Sequence, residues 1–354
     1  MHHILNKMCL ENIGDINVNK LSKESNIELS SDKNYEVVCY MTTSFFNEIG
    51  GYLGLELGQS FDNISNGIAL NCARNCLRYV IRAFNIKEIY LPYYTCPVVW
   101  QSVQKENIKI KFYHIDKIFM PNNDIPTEAY ILYTNYFGIC ANNVKTLSKR
   151  YKNLIIDNSQ AFYMPKYGIA SFNSIRKFFG VSDGALLFTD KILSENFEQD
   201  TSFDRCSHLL KRLDVDAKFG YQDFQINDDI FSNESIKKIS NLTKAIFNSI
   251  DIEKAKQKRL NNFEFLHSVL KQTNELRIAL DSEDVPLVYP YMVKDKGELL
   301  RQTLIKKKIY VASYWNPMPE EYQEGIFQKY IIPLPIDQRY GKEDMEKILN
   351  VIDE

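Results

Sequence analysis

From Gly67 onward, short apolar runs alternate with amphipathic segments along the chain. Runs of this kind, rich in aliphatic and aromatic residues, are typical of buried strands, and they occupy 68–71, 88–92, 109–115, 129–136, 153–157 and 185–190. Segments with apolar residues at helical spacing lie among them, at 74–84, 95–107 and 143–151. This βαβα succession predicts an α/β fold, a three-layer αβα arrangement around a mainly parallel sheet.

The pattern changes after Asp190. We expect one or two long helices within 234–273, and then a strand, a helix, a strand and a final helix at 287–293, 297–308, 309–315 and 343–353. Residues 1–35 are polar without strong periodicity, whereas 34–57 is apolar and aromatic. We therefore divide the chain into an N-terminal arm or flap, a large α/β domain, and long helices with a smaller C-terminal α+β domain, at 1–57, 58–235 and 236–354.

Composition narrows the classes of function. The net charge of -2 provides no basic surface for nucleic acid. No apolar run reaches the ~18 residues that span a bilayer, and the N-terminus has no apolar stretch typical of a secretory signal. The 7 cysteines are scattered without a CxxC pair, which favours free thiols in a reducing cytoplasm and gives no metal site. We expect a cytoplasmic protein that binds neither nucleic acid nor membranes.

The stretch from Leu154 to Leu187 carries the most chemistry. Asp157 ends an apolar strand, Gln160 follows closely, and an Arg176-Lys177 pair precedes a glycine-containing turn. Ligands of open α/β sheets lie beyond the carboxyl ends of the strands. A carboxylate there can pair with the protonated pyridine nitrogen of pyridoxal 5'-phosphate (PLP), and a lysine about twenty residues later is what such a site requires. The alternative is that Asp157 caps a following helix.

Two further segments suit the same ligand without being specific to it. The helix that opens at Arg74 offers free N–H groups to a phosphate. Tyr93 and Tyr94 follow the next strand, where they could stack on a planar ring or pack in the core.

Together these segments resemble the DegT/StrS-type sugar aminotransferases, a branch of the fold-type-I PLP enzymes, over roughly residues 50–354. The resemblance rests on ALNCARNCLRYVIRAF, IYLPYYTCPVVW, LIIDNSQAFY, SFNSIRKFFGVSDGA, KRLNNFEFL and IPLPIDQRYGKEDMEKIL. It implies PLP or pyridoxamine 5'-phosphate as cofactor and a nucleotide-linked keto-sugar as substrate. It also implies a homodimer and a role in bacterial surface polysaccharide synthesis.

The resemblance also assigns roles to individual residues. Asp157 would pair with the pyridine nitrogen, and Gln160 would contact the ring hydroxyl. Ser171, Ala73 and Arg74 would hold the phosphate, and Tyr94 would cover the face of the ring. Two departures from the family stand out. In the phosphate loop, Cys72-Ala73-Arg74 replaces the usual Ser-Gly-Thr, and the family's Asn-x-Arg element, which reaches a neighbouring subunit's site, has no clear match near 232–240.

The third departure concerns the Schiff-base lysine. In the family it lies five residues after the Ser of the Ser-Phe pair, and this position is Arg176 here. The acidic residue of the glycine turn, Asp183, is at the usual spacing from Arg176 as well. A guanidinium remains protonated and forms no imine, so only a one-residue slip would bring Lys177 to the cofactor. We expect the lysine to be missing from this position, because neighbouring side chains of an extended loop point to opposite sides.

Two classes of function follow. The primary hypothesis is a PLP-type sugar aminotransferase in which Lys177 forms the Schiff base and acts as general acid and base. The alternative is a homologue without the lysine. Such a protein would either use PLP or pyridoxamine 5'-phosphate non-covalently, as a dehydratase does, or bind a nucleotide sugar as a non-catalytic scaffold without a cofactor.

Overall fold

The computed structural model describes residues 51–354 except 296, 316 and 317. The predicted arm and most of the apolar 34–57 segment lie outside the described residues. Seven strands form the main sheet: β1 (Ile68–Leu70), β2 (Glu88–Pro92), β3 (Lys109–Tyr113), β4 (Tyr130–Thr134), β5 (Asn153–Asn158), β6 (Ala170–Asn173) and β7 (Ala185–Thr189). Their order is β1-β7-β6-β5-β4-β2-β3, and only β7 runs against the others. The mainly parallel α/β sheet is confirmed.

Helices cover both faces of this sheet. The first three helices are α1 (Ala73–Ala83), α2 (Pro97–Gln104) and α3 (Ala141–Arg150). Ile155 of β5 packs into the cluster that contains α1 and α2, whereas its neighbours Leu154 and Ile156 pack into the cluster that contains α3. Since consecutive side chains of a strand point to opposite faces, the apolar run of β5 supplies both cores, and the three layers follow.

The C-terminal part has a sheet and a core of its own. Strands β8 (Val288–Met292) and β9 (Ile331–Pro335) pair antiparallel. The helices after β7 that the pattern predicted are α7 (Asn241–Asn248), α8 (Ile252–Leu270), α9 (Gly297–Lys306) and α11 (Lys342–Asp353). Phe263 of α8, Leu334 of β9 and Met345 of α11 are buried in one cluster. The small α+β arrangement is therefore present, with helices on its two-stranded sheet.

The strand predicted over 309–315 is wrong. Ile309 N–H donates to the Leu304 carbonyl at 2.8 Å, which closes the end of α9. The Arg301 guanidinium donates to the Ala312 carbonyl at 2.5 Å. These backbone groups are thus satisfied by a helix end and a side chain, and β8 pairs with β9 alone among the described residues. The apolar side chains of Ile309 and Val311 pack against the C-terminal core, which explains their pattern.

Four helices that the sequence pattern did not indicate complete the architecture. They are the single turn α4 (Ile175–Phe178), and α5 (Ser207–Asp214), α6 (Tyr221–Ile230) and α10 (Gln323–Tyr330). In α6 only Asn227 is buried, and several of its apolar side chains are exposed. None of the helices in the described part of the chain is both long and apolar enough to cross a membrane.

Candidate cofactor site at the carboxyl end of the sheet

Asp157 lies at the end of β5 and faces α1. Asp157 is 6% exposed, and its Oδ1 accepts the Ser159 N–H at 2.8 Å. Burial raises the pKa of the Cys76 thiol on α1, and the charges of Cys72 and Asp157 act in the same direction. No helix is present in the described chain between β5 and β6, so the interpretation of Asp157 as a helix cap is wrong. Its carboxylate instead closes a local turn beneath α1.

Gln160 is held in place by one end of its amide. Its Oε1 accepts the Phe137 N–H at 2.7 Å, whereas its Nε2 is buried without a hydrogen-bond partner among the described residues. A buried donor without a partner costs about 1–3 kcal/mol. The amide NH2 is therefore the group at this end of the site with unused capacity to donate to a ligand.

Arg176 and Lys177 occupy different environments. They lie on the single helical turn α4, so the extended loop that we expected at this point is wrong. Arg176 points inward with a side chain that is 13% exposed, whereas Lys177 is exposed. The Arg176 guanidinium lies 3.2 Å from Asp228 Oδ1 and 4.6 Å from the centre of the Phe231 ring. The inward position is thus filled by the residue that cannot form an imine.

Arg74 meets the same carboxylate from the first turn of α1. Its Nη2 lies 3.0 Å from Asp228 Oδ2, and its Nη1 donates to the Asp228 carbonyl at 3.1 Å. Ala73 is the first residue of α1, directly after Cys72. Burial raises the pKa of the Cys72 thiol, and the charges of Arg74 and Arg176 oppose that effect. Both guanidiniums therefore lie at the N-terminus of α1, where the resemblance expects the phosphate.

A second arginine–aspartate pair supports this arrangement. Arg205 Nη2 lies 2.8 Å from Asp200 Oδ2, and the two side chains are 7% and 5% exposed. The Arg205 guanidinium lies 5.2 Å from the centre of the Phe231 ring, which also contacts Arg176. Phe231 is 2% exposed. The Phe231 ring, directly after the end of α6, is therefore buried in contact with both guanidiniums.

The structure does not place Ser171 and Tyr94 with the arginines. Ala170 and Phe172 pack on the face of the sheet that α1 covers, so strand alternation directs Ser171 to the opposite face. Its Oγ is buried without a partner among the described residues. Tyr94 is buried, its hydroxyl donates to the Tyr314 carbonyl at 3.1 Å, and its ring lies 4.8 Å from that of Trp315. Tyr94 thus packs as a core aromatic residue.

The candidate site matches PLP at one end only. At the ring end, a buried carboxylate and the free amide donor of Gln160 match a substituted pyridine. At the other end lie Arg176, which the resemblance puts at the lysine position, and Arg74, and both of these cations already pair with Asp228. Tyr94, which would cover the ring, is packed in the core. The ring end fits the cofactor and the anchoring end does not, so PLP as a whole does not fit this arrangement.

The described residues contain no group of acidic, histidine or cysteine side chains suited to a metal ion.

The comparisons with known proteins give structural matches only. No family model and no curated protein matches the sequence. A DegT/DnrJ/EryC1/StrS aminotransferase from Brucella abortus matches with a TM-score of 0.57 and 13% identity, over 82% of this chain and 86% of its own. The PMP form of the putative sugar aminotransferase Spr1654 from Streptococcus pneumoniae matches with a TM-score of 0.57 and 14% identity, over 83% and 89%.

A third solved structure, DesI in the presence of its TDP-sugar product, has a TM-score of 0.56 and 12% identity, over 82% of this chain and 80% of its own. The same mainly parallel sheet with helices on both faces is thus common to the chain and to these enzymes. The chain has the fold of the sugar aminotransferases.

Proposed function

We propose that the protein is a lysine-less relative of the sugar aminotransferases that binds a nucleotide-linked sugar and does not transfer amino groups through a Schiff base. The observation that carries the proposal is the inward Arg176 beside the exposed Lys177. An imine needs a neutral amine, and a guanidinium remains protonated in a protein. The aminotransferase hypothesis with Lys177 as the anchor has no comparable support, because α4 turns that side chain toward solvent.

Aromatic rings at the edge of the sheet support the binding of a nucleotide. Tyr93 follows β2 and His114 follows β3, and their rings stack with centroids 4.5 Å apart. His114 stacks in turn on Tyr322, at 4.5 Å and an interplanar angle of 5°. Tyr322 is 39% exposed, so it ends the stack at the surface. Stacking on aromatic side chains is a general way to bind a nucleobase, and this edge is where ligands of open α/β sheets bind.

The resemblance supplies the rest of the proposal. We infer a homodimer in a bacterial cytoplasm, where nucleotide-linked sugars are intermediates of surface polysaccharide synthesis. DesI, which shares the fold, was solved in the presence of a TDP-sugar. In this proposal the protein binds a nucleotide-linked sugar with the same fold, and this binding does not require the lysine.

Calorimetric titration of the full-length protein with a TDP-linked hexose tests the binding. We expect saturable binding that Tyr322→Ala weakens about tenfold, since stacking on one base contributes about 1–3 kcal/mol. The matched control is Tyr310→Ala, because Tyr310 is 50% exposed and lies outside the stack. Absence of binding to the wild-type protein, or transfer of an amino group from glutamate to a keto-sugar, would contradict the proposal.

A further inference from the structure

We infer that Asp228 of α6 is an internal anion that pairs with Arg74 and Arg176 beside the N-terminus of α1 and competes there with a free phosphate. This inference concerns the end of the site opposite to Gln160. It holds whether or not the chain binds a nucleotide sugar.

The contacts of Asp228 are those of a bound anion. One carboxylate oxygen meets Arg74 at 3.0 Å and the other meets Arg176 at 3.2 Å. Both arginine side chains are 13% exposed, whereas the Asp228 side chain is 44% exposed and meets them from the solvent side. Hydrogen bonds between ionised groups are about twice as strong as neutral ones. The carboxylate therefore takes up, in one bridge, the two cations that face the first turn of α1.

The position of the bridge matters as much as its strength. The first N–H groups of a helix have no partner within it and, with the helix dipole, attract an anion. Arg74 belongs to the first turn of α1, and Arg176 stands where the resemblance places the lysine. A free phosphate must displace the Asp228 carboxylate from the two arginines. Because the carboxylate and the arginines belong to one chain, the effective concentration of the carboxylate is on the order of millimolar.

Residues beside Asp228 hold it in place. Asn227 is buried and its Nδ2 donates to the Ser182 carbonyl at 2.8 Å. Phe231 is buried in contact with the guanidiniums of Arg176 and Arg205. The apolar side chains of Phe224 and Ile226 are exposed by contrast. Helix α6 is thus attached to the site through the residues that flank the carboxylate.

Removal of the internal anion should create a phosphate site. The variant is Asp228→Asn, and the matched control is Asp229→Asn, which removes the same charge from an exposed neighbour. The probe is inorganic phosphate, with binding measured by calorimetry and by the shift of the melting temperature. We expect Asp228→Asn to bind phosphate about tenfold more tightly than the wild-type protein and Asp229→Asn. Addition of Arg74→Gln to the Asp228→Asn variant should abolish the gain.

Equal phosphate affinity in the wild-type protein and in folded Asp228→Asn would overturn the inference. Asp228→Ser serves as a second variant in case the amide unfolds the protein, because its smaller side chain leaves the two arginines more room. If neither variant folds, the inference also fails, since an anion that only competes with a phosphate is not one on which the fold depends. Tight phosphate binding in Asp229→Asn would assign the gain to net charge and would contradict the role of Asp228 as well.

Discussion

The two ends of the candidate site differ in how their polar groups are satisfied. At the ring end, Asp157 closes a local turn, and the Nε2 of Gln160 has no hydrogen-bond partner within the part of the chain that the structure describes. At the anchoring end, Arg74 and Arg176 share the carboxylate of Asp228, which comes from a distant helix. In our proposal the ring end therefore retains capacity for a ligand, while Asp228 occupies the cations of the other end.

The largest expected effect concerns the turn that supports the anchoring end. Asp183 accepts the Ser240 N–H at 2.7 Å and the Ser240 hydroxyl at 2.7 Å, and it also bonds Thr243. Asp183→Ala removes an ionised acceptor and leaves buried donors unpaired, so we expect a loss of about 3–4 kcal/mol in the free energy of unfolding. Urea denaturation measures it. A loss below about 1 kcal/mol would show that the turn does not depend on these bonds.

The neighbouring basic residues provide a matched pair. Arg176→Met removes a hydrogen bond to a charged group, partly offset by relief from burying a guanidinium, so we expect a loss of about 1–2 kcal/mol. Lys177→Met changes an exposed residue and should stay within about 0.5 kcal/mol. Chemical denaturation of both variants compares them. Equal losses would contradict the assignment of Arg176 to the inward position.

Gln160 tests the ring end. Gln160→Met leaves the Phe137 N–H without its acceptor, but it also removes the buried Nε2, for which the described residues offer no partner. These effects oppose each other, so we expect a change within about 1 kcal/mol. Thermal unfolding followed by circular dichroism measures it. A loss much larger than that would mean that the amide is fully satisfied and that the ring end is as closed as the other.

The smallest expected effect is an electrostatic change in the pKa of His208. Burial lowers the pKa of His208, and the charge of Arg176 lowers it further, while Asp223 acts in the opposite direction. Arg176→Met should therefore raise the pKa of His208, and Lys177→Met should leave it unchanged. Titration of the imidazole by NMR gives both values. Identical shifts in the two variants would contradict the difference between the two basic residues.

The same pKa shift gives the sign of one pH effect on stability. Because the pKa of His208 is lower in the folded state than in the unfolded chain, the neutral ring is favoured on folding. The free energy of unfolding should fall as the pH drops below the unfolded value of about 6.5 and toward the folded pKa. His208→Phe should reduce this dependence, as urea denaturation at several pH values would show.

The sequence predicted the elements whose pattern reflects a buried face. The runs that became β2, β4 and β5, and the amphipathic stretch of α1, have the expected periods because their side chains fill the two cores of the sheet. The segment 309–315 failed for the opposite reason: its apolar residues pack on a core, but helix α9 and Arg301 satisfy its backbone. The spacing of apolar residues therefore indicates which side chains are buried, but it does not indicate which groups the backbone hydrogen-bonds to.

The closed end of the site could be predicted only in part. Counting from Ser171 predicts that Arg176 stands at the lysine position, and this prediction depends on local spacing alone. Its partner Asp228 lies 52 residues away in sequence from Arg176 and 154 from Arg74. Helix α6 buries only Asn227, so no apolar stripe indicated that this helix meets the site. The pairing is a product of tertiary structure, which a one-dimensional pattern does not contain.

The most direct test of the central claim is chemical trapping. PLP is added to the purified wild-type protein, the visible spectrum is recorded, borohydride is added, and the peptides are mapped by mass spectrometry. The closed site predicts no imine absorbance and no pyridoxyl group within the peptide that contains Arg176 and Lys177. A stoichiometric pyridoxyl adduct on Lys177 would show that this lysine reaches the cofactor, and it would contradict the account.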